Sequence, residues 1–209
     1  MVVQKLETDR EFQVELCNTM KELYKEKILT DIGGNLSFRS PQDENIFWIT
    51  PSGKKKDTVE PEDLIKMNFK GEILSDSSLK PSIEWPMHLK IYEEDEDFKV
   101  ILHSHAPLAT ALSIVKNPPE MPNLTGELTM LVPKIQIVPF EKSGSKELGI
   151  AVGEALWDSS VVILENHGVV AIGKDFKEAS IKTRALEEYL QLYINAKYFG
   201  DILKEFPGF

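Results

Sequence analysis

The 209-residue chain has one cysteine, three arginines and four histidines, and it has no apolar run long enough to cross a bilayer. Cys17 alone cannot close an internal disulfide, so a reducing cytoplasm is the expected setting. Arg10, Arg39 and Arg184 are the whole guanidinium complement, and 34 acids against 24 bases leave a net charge of −10. A broad phosphate-neutralising surface is thereby excluded, and nucleic acid is not an expected partner. The opening residues, Met1 to Gln13, carry charge without an apolar leader core, so neither export nor a membrane anchor is expected. What remains is ordinary for a globular chain, 42% hydrophobic and 28% charged, and fits a single domain over 1–209.

Hydrophobic periodicity divides the chain into alternating elements. Phe12, Leu16, Met20 and Leu23 recur at helical spacing and predict an amphipathic helix over about 8–29. Gly33-Gly34 ends it, and residues 36–39 and 46–50 read as a hairpin around a polar turn. A second hairpin is expected over 66–74, turning near Lys70-Gly71, then a loop to Ser82. Pro86 suits the first turn of a helix. Residues 98–105 read as a buried strand, 106–115 as a short helix, 135–138 as a strand and 145–157 as a helix. Residues 160–165 and 169–172 read as strands, followed by a long amphipathic helix from 176 to 198. Residues 116–122 are too rich in proline for a regular element. This register is α/β, with sheet and helices interleaved.

Histidine is scarce, which makes its placement informative. His103 and His105 flank one residue in a predicted strand, so both imidazoles point to the same face. His167 ends a second apolar strand just before Gly168, and it reaches the same edge if the two strands are neighbours. Three neutral imidazoles with an open coordination position describe a catalytic metal site, whereas packing is the bland alternative for each histidine alone. Glu84 stands at a helix start beside Trp85. An apolar neighbour there would raise its pKa toward a proton-shuttle range, while a helix-dipole role is the alternative. Gly33-Gly34-Asn35 and Thr50-Pro51-Ser52-Gly53 are turns whose backbone N–H groups can cradle an anion without arginine, although ordinary turns share the pattern.

Five segments in order, Gly33–Arg39, Ile49–Gly53, Lys80–His88, Val100–His105 and Leu164–Gly168, resemble the class II aldolase and adducin head family. Within it they are most similar to sugar-phosphate aldolases of the L-fuculose-1-phosphate type. The resemblance implies a central, mainly antiparallel sheet between helix layers and a homotetramer with active sites at subunit interfaces. It also implies a divalent metal, usually Zn2+, with Mn2+, Co2+ or Fe2+ compatible with the same ligands. His103, His105 and His167 become the metal ligands and Glu84 the catalytic acid/base. Gly34, Asn35, Ser52, Gly53 and Ser82 become the phosphate pocket, and His88 is left a structural part.

The implied reaction is reversible cleavage of a fuculose- or ribulose-type ketose 1-phosphate to dihydroxyacetone phosphate and an aldehyde. Ile83 stands where the fuculose-phosphate aldolases carry a second serine, so one hydroxyl donor to phosphate is missing. Glu127 falls where the epimerase and methylthioribulose-1-phosphate dehydratase branches supply a second carboxylate, which keeps those reactions open. A non-catalytic adducin-like domain is a further alternative, and its loss of metal histidines contrasts with the three retained here. A metallohydrolase ranks last, for want of any companion motif.

Overall fold

The computed structural model describes residues 7–200 and 204–208. The first six residues, read above for the absence of a leader, and Phe209 lie outside the described residues.

Helix α1 spans Asp9–Lys25 and begins in a capping box, with Thr8 Oγ1 accepting from the Glu11 N–H while Glu11 accepts from the Thr8 N–H. It stops earlier than its apolar periodicity predicts. Lys27 turns into the left-handed region at φ 62°, and the N–H groups of Ile28 and Leu29 fold back onto the Leu23 carbonyl. Ile28 and Leu29 extend the apolar pattern because they still pack in the core after the chain has turned.

Strands β1 (Asn35–Arg39) and β2 (Ile46–Ile49) form the expected hairpin. The second hairpin is reduced to β3 (Ile65–Asn68) and a short returning arm held by a single bridge from Met67 to Ile73, with Asn68 N–H on the Glu72 carbonyl at 3.1 Å and Leu74 N–H on the Lys66 carbonyl at 2.8 Å. Then follow helix α2 (Trp85–Glu94), strand β4 (Val100–Ser104) and helix α3 (Pro107–Ser113). Helix α4 (Gly126–Leu131) was not anticipated; it is one capped turn and a half, started by Thr125 accepting from the Leu128 N–H. Strand β5 (Ile137–Val138), helix α5 (Lys146–Leu156), strands β6 (Val161–Leu164) and β7 (Gly168–Gly173), and helix α6 (Phe176–Phe199) complete the chain.

The seven strands form one sheet in the order β3-β2-β1-β4-β7-β6-β5, antiparallel throughout except for the β5–β6 pair. Both faces are covered, as the near-continuous apolar run of β4 requires. Val100 and Leu102 face α1, α3, α4 and α6, in a cluster with Leu16, Phe38 and Leu186. Ile101 faces α2 and α5, in a cluster with Met87, Tyr92 and Val152. Strand alternation therefore places His103, with Asn35 and Ser37 of the neighbouring β1, on the α2 face. The sheet is the expected mainly antiparallel layer between helices. No helix among the described residues is long and apolar enough to cross a membrane.

Candidate metal centre and substrate cleft

The site forms where the central strands end. His103 is the penultimate residue of β4, paired with Asn35 of β1 on one side and Val170 of β7 on the other. His105 lies just beyond the strand rather than within it. His167 occupies the tight β6–β7 turn, closed by its N–H on the Leu164 carbonyl at 3.1 Å and by Asn166 at φ 55°. Because β7 pairs with both β4 and β6, this turn stands beside the end of β4, and the three rings converge with centroids 4.7–5.4 Å apart.

One ligand nitrogen from each of His103, His105 and His167 lies within 4.8 Å of the others. His103 is fully buried, and its Nδ1 donates to the Val169 carbonyl at 3.0 Å. That bond fixes the tautomer and leaves a lone pair on Nε2, which is buried and has no hydrogen-bond partner. Burial pushes the His103 pKa down to about 4 and also lowers that of His105, so both rings are neutral in the ordinary pH range. Neutral imidazoles with an orphaned nitrogen aimed at a common centre are the donor set a divalent metal takes.

Glu84 is the residue immediately before α2 and makes no capping bond. Its carboxylate turns into the site instead, with Oε2 3.2 Å from His103 Nε2 and Oε1 3.2 Å from His167 Nε2. The expected tuning by Trp85 does not occur, for Trp85 packs over the Gly71 turn. Burial pushes the Glu84 pKa up, but the attraction between the carboxylate and the His103 and His167 rings in their protonated forms, together with hydrogen bonds from His167 and the Asn35 amide, outweighs it and holds the carboxyl below its usual range. The group is a carboxylate at neutral pH.

A buried chain of hydrogen bonds orients that carboxylate. Asn35 Nδ2 donates to Glu84 Oε2 at 2.7 Å, and a carboxylate can only accept, so Asn35 Oδ1 must face the other way. There it accepts from His88 Nε2 at 2.5 Å. His88 Nδ1 then accepts from the Ser37 hydroxyl at 2.7 Å, and Ser37 accepts from the Tyr92 hydroxyl at 2.7 Å. Burial pushes the His88 pKa down to about 3, so the ring is the neutral tautomer this direction demands. Both nitrogens of His88 are engaged, and it is not a metal ligand. Sequence reading treated His88 as structural; its link to Glu84 depends on residues 49 to 53 positions apart in the chain and has no local signal.

Beside the imidazoles lies a solvent-open cleft of about 400 Å3, lined among others by Gly34, Asn35, Ser52, Gly53 and Ser82. The two loops that carry the last three are tied together by Ser52 N–H to Lys80 O at 2.9 Å and Ser82 N–H to Thr50 O at 3.0 Å. Gly34 and Gly53 have φ of +85° and +71°, and a Cβ on Gly34 would stand 2.8 Å from the His103 carbonyl. The side chain of Asn35 is engaged on both sides, by Glu84 and by His88. Ile83 also lines the cleft and is 66% exposed. Glu127 is not brought to this cleft: it stands exposed in the first turn of α4. Lys56, buried and lining the same cleft, was missed because it sits in a run of three lysines that reads as a solvated loop.

The family model for the class II aldolase and adducin N-terminal domain matches residues 14–194. An L-fuculose phosphate aldolase of Methanococcus maripaludis is 38% identical over 178 residues, covering 85% of this chain and 93% of the relative. A 3-oxo-tetronate 4-phosphate decarboxylase of Haemophilus influenzae is 33% identical over 165 residues, covering 77% and 76%. Among solved structures, an L-fuculose 1-phosphate aldolase superposes with a TM-score of 0.83 at 26% identity, covering 94% of this chain and 91% of that one. Fold, site geometry and these likenesses agree: the chain belongs to the class II aldolase and adducin N-terminal domain family.

Proposed function

We propose that this protein is a metal-dependent aldolase that reversibly cleaves a small ketose 1-phosphate of the fuculose or ribulose type to dihydroxyacetone phosphate and an aldehyde. The observation that carries the reading is the convergence of three histidine nitrogens within 4.8 Å of one another, with the Glu84 carboxylate 3.2 Å from two of them. In this reading His103, His105 and His167 hold a divalent metal, Zn2+ first among Mn2+, Co2+ and Fe2+. When bound, the metal supplies Lewis-acid stabilisation of the negative charge that carbon–carbon cleavage leaves beside the carbonyl.

Glu84 moves the proton. As a carboxylate it removes a proton from the hydroxymethyl carbon of dihydroxyacetone phosphate in the condensing direction. In cleavage it returns that proton to the same carbon, which has kept the electron pair of the broken bond. Asn35, held by His88, keeps one carboxylate oxygen occupied and so fixes which way the other points. The phosphate lies against the Gly34 and Asn35 backbone and the Ser52–Gly53 and Ser82 loops, where small residues let N–H groups approach closely. We assign the protein to the cytoplasm and to a homotetramer with its sites at subunit interfaces.

The likeness to a decarboxylase supports a second reading, since loss of carbon dioxide and loss of an aldehyde leave the same kind of carbanion. The test is a panel of fuculose 1-phosphate, ribulose 1-phosphate and a 3-oxo-tetronate 4-phosphate, each assayed with and without EDTA. Metal-dependent release of dihydroxyacetone phosphate supports the aldolase, whereas release of carbon dioxide from the keto acid alone overturns it. Glu127→Gln should leave aldol turnover within a few-fold. A loss of several orders of magnitude would favour an epimerase or dehydratase, and a chain that takes up no metal would favour an adducin-like domain.

A further inference from the structure

Three consecutive lysines follow the Gly53 turn, and they have different fates. Lys54 pairs with Asp63, and Lys55 pairs with Asp57 at 3.1 Å while its ammonium lies 5.1 Å from the centre of the Tyr24 ring. Lys56 has no carboxylate within ion-pair distance among the described residues, although it is the buried one, with 2% of its surface exposed. Its backbone is pinned by an N–H bond to the Asp31 carbonyl at 3.1 Å, at the start of a short 3-10 turn over Lys56–Thr58. Its side chain lines the cleft that also holds Ser52, Gly53, Ser82 and Glu84.

We propose that Lys56 is the charged member of the substrate's phosphate subsite, the residue that makes this cleft select a phosphorylated sugar over its unphosphorylated form. The inference deepens the aldolase reading and rests on it for the identity of the substrate.

A buried ammonium with no carboxylate in contact is unfavourable, and a bound phosphate would supply the contacting charge. The rest of the cleft offers a phosphate only neutral donors, which are backbone N–H groups and serine hydroxyls. Ile83 adds none. A protein of net charge −10 gives no general attraction for a dianion either, and the metal proposed at the histidines would be engaged with the carbonyl end of the substrate, so a second local cation is wanted beside the phosphate. Burial pushes the Lys56 pKa down to about 8, against the opposing pull of Glu84, so an arriving phosphate meets an amine that gains stabilisation by being charged. Lysine acts on phosphate as a point charge, and its contact is stronger than that of a neutral donor.

The experiment compares the metal-loaded wild type with Lys56→Met and Lys56→Arg. Steady-state kinetics are measured on whichever ketose 1-phosphate the wild type cleaves, and inorganic phosphate binding is followed by titration calorimetry. For Lys56→Met the expected result is a KM raised about 10- to 100-fold with kcat within about threefold, and inorganic phosphate bound at least about tenfold more weakly. Lys56→Arg should recover most of both. Metal content should be unchanged, and the Lys56→Met melting temperature should be equal or higher, since the cost of the buried charge is gone. Unchanged KM and unchanged phosphate affinity in Lys56→Met would overturn the assignment, as would a loss falling wholly on kcat. If the wild type cleaves no ketose phosphate, the aldolase reading fails by itself. The phosphate titration then still decides Lys56, since equal affinity in wild type and Lys56→Met refutes it.

Discussion

Replacing Gly168 by alanine is expected to damage the metal centre by crowding the end of β4 and two of its imidazoles, without substituting a ligand. A Cβ at Gly168 would stand 2.3 Å from the Ser104 carbonyl oxygen, 3.0 Å from His105 Cδ2 and 3.3 Å from His103 Cε1. Real Cβ contacts essentially never fall under 3.0 Å, so the β4 end and the β6–β7 turn must separate by about 0.7 Å. Ser104 is followed directly by His105, so the displaced carbonyl carries that ligand with it. Metal–ligand distances tolerate about 0.2 Å, and the imposed shift is more than three times that. A weakening of metal binding by about 10- to 100-fold follows, together with about 1–3 kcal/mol of lost stability from overpacking. Gly168 does not have a positive φ, so alanine's backbone preference adds nothing and the effect is steric. The assay is competition for Zn2+ against a chromophoric chelator, with circular dichroism and a thermal melt to confirm folding. A folded Gly168→Ala protein that binds zinc within threefold of the wild type would refute the reasoning.

Two further expectations rest on other parts of the structure. Asn35→Ala leaves Glu84 Oε2 and the His88 N–H without partners, at about 1–3 kcal/mol for each buried group; kcat should fall about 10- to 100-fold with KM little changed. A thermal melt and steady-state kinetics read both, and a KM effect without a kcat effect would contradict the orienting role. Burial pushes the Cys17 thiol from its ordinary 9.0 up to about 12, with Glu60 adding to the shift. The folded chain thus keeps a proton that the unfolded chain loses above about pH 9, and this contribution to stability declines as pH rises from there toward 12. Iodoacetamide at pH 8 should therefore label Cys17 slowly in the native protein and rapidly in guanidinium, and equal rates would show that the thiol is not shielded.

The sequence was most informative where the relevant geometry is local. His103 and His105 share a strand face by alternation, and His167 sits at a strand end before a glycine, so the triad was visible once the strands were assumed to be neighbours. The edges of that reading were less secure, since His105 falls just past β4 and α1 ends at the left-handed Lys27 although its apolar pattern continues. Helix α4 was invisible because six residues are too few for periodicity to register. The Tyr92–Ser37–His88–Asn35–Glu84 chain was illegible for a different reason, as it exists only after β1 pairs with β4 and α2 docks on their shared face. Trp85 misled because adjacency in sequence suggested contact, whereas at the start of α2 successive side chains diverge, one toward the imidazoles and one toward Gly71. Lys56 shows the same limit in reverse, a charged loop residue whose burial is set by the elements folded around it.

Stepwise metal addition to chelator-stripped protein, with dihydroxyacetone phosphate release from a ketose 1-phosphate recorded at each step, tests whether the three histidines form one metal site that the chemistry requires. Activity should be absent at the start, rise linearly and break at one metal ion per chain, while His167→Ala should neither retain the metal nor recover activity. Cleavage by the metal-free protein, or full activity in His167→Ala, would contradict the assignment.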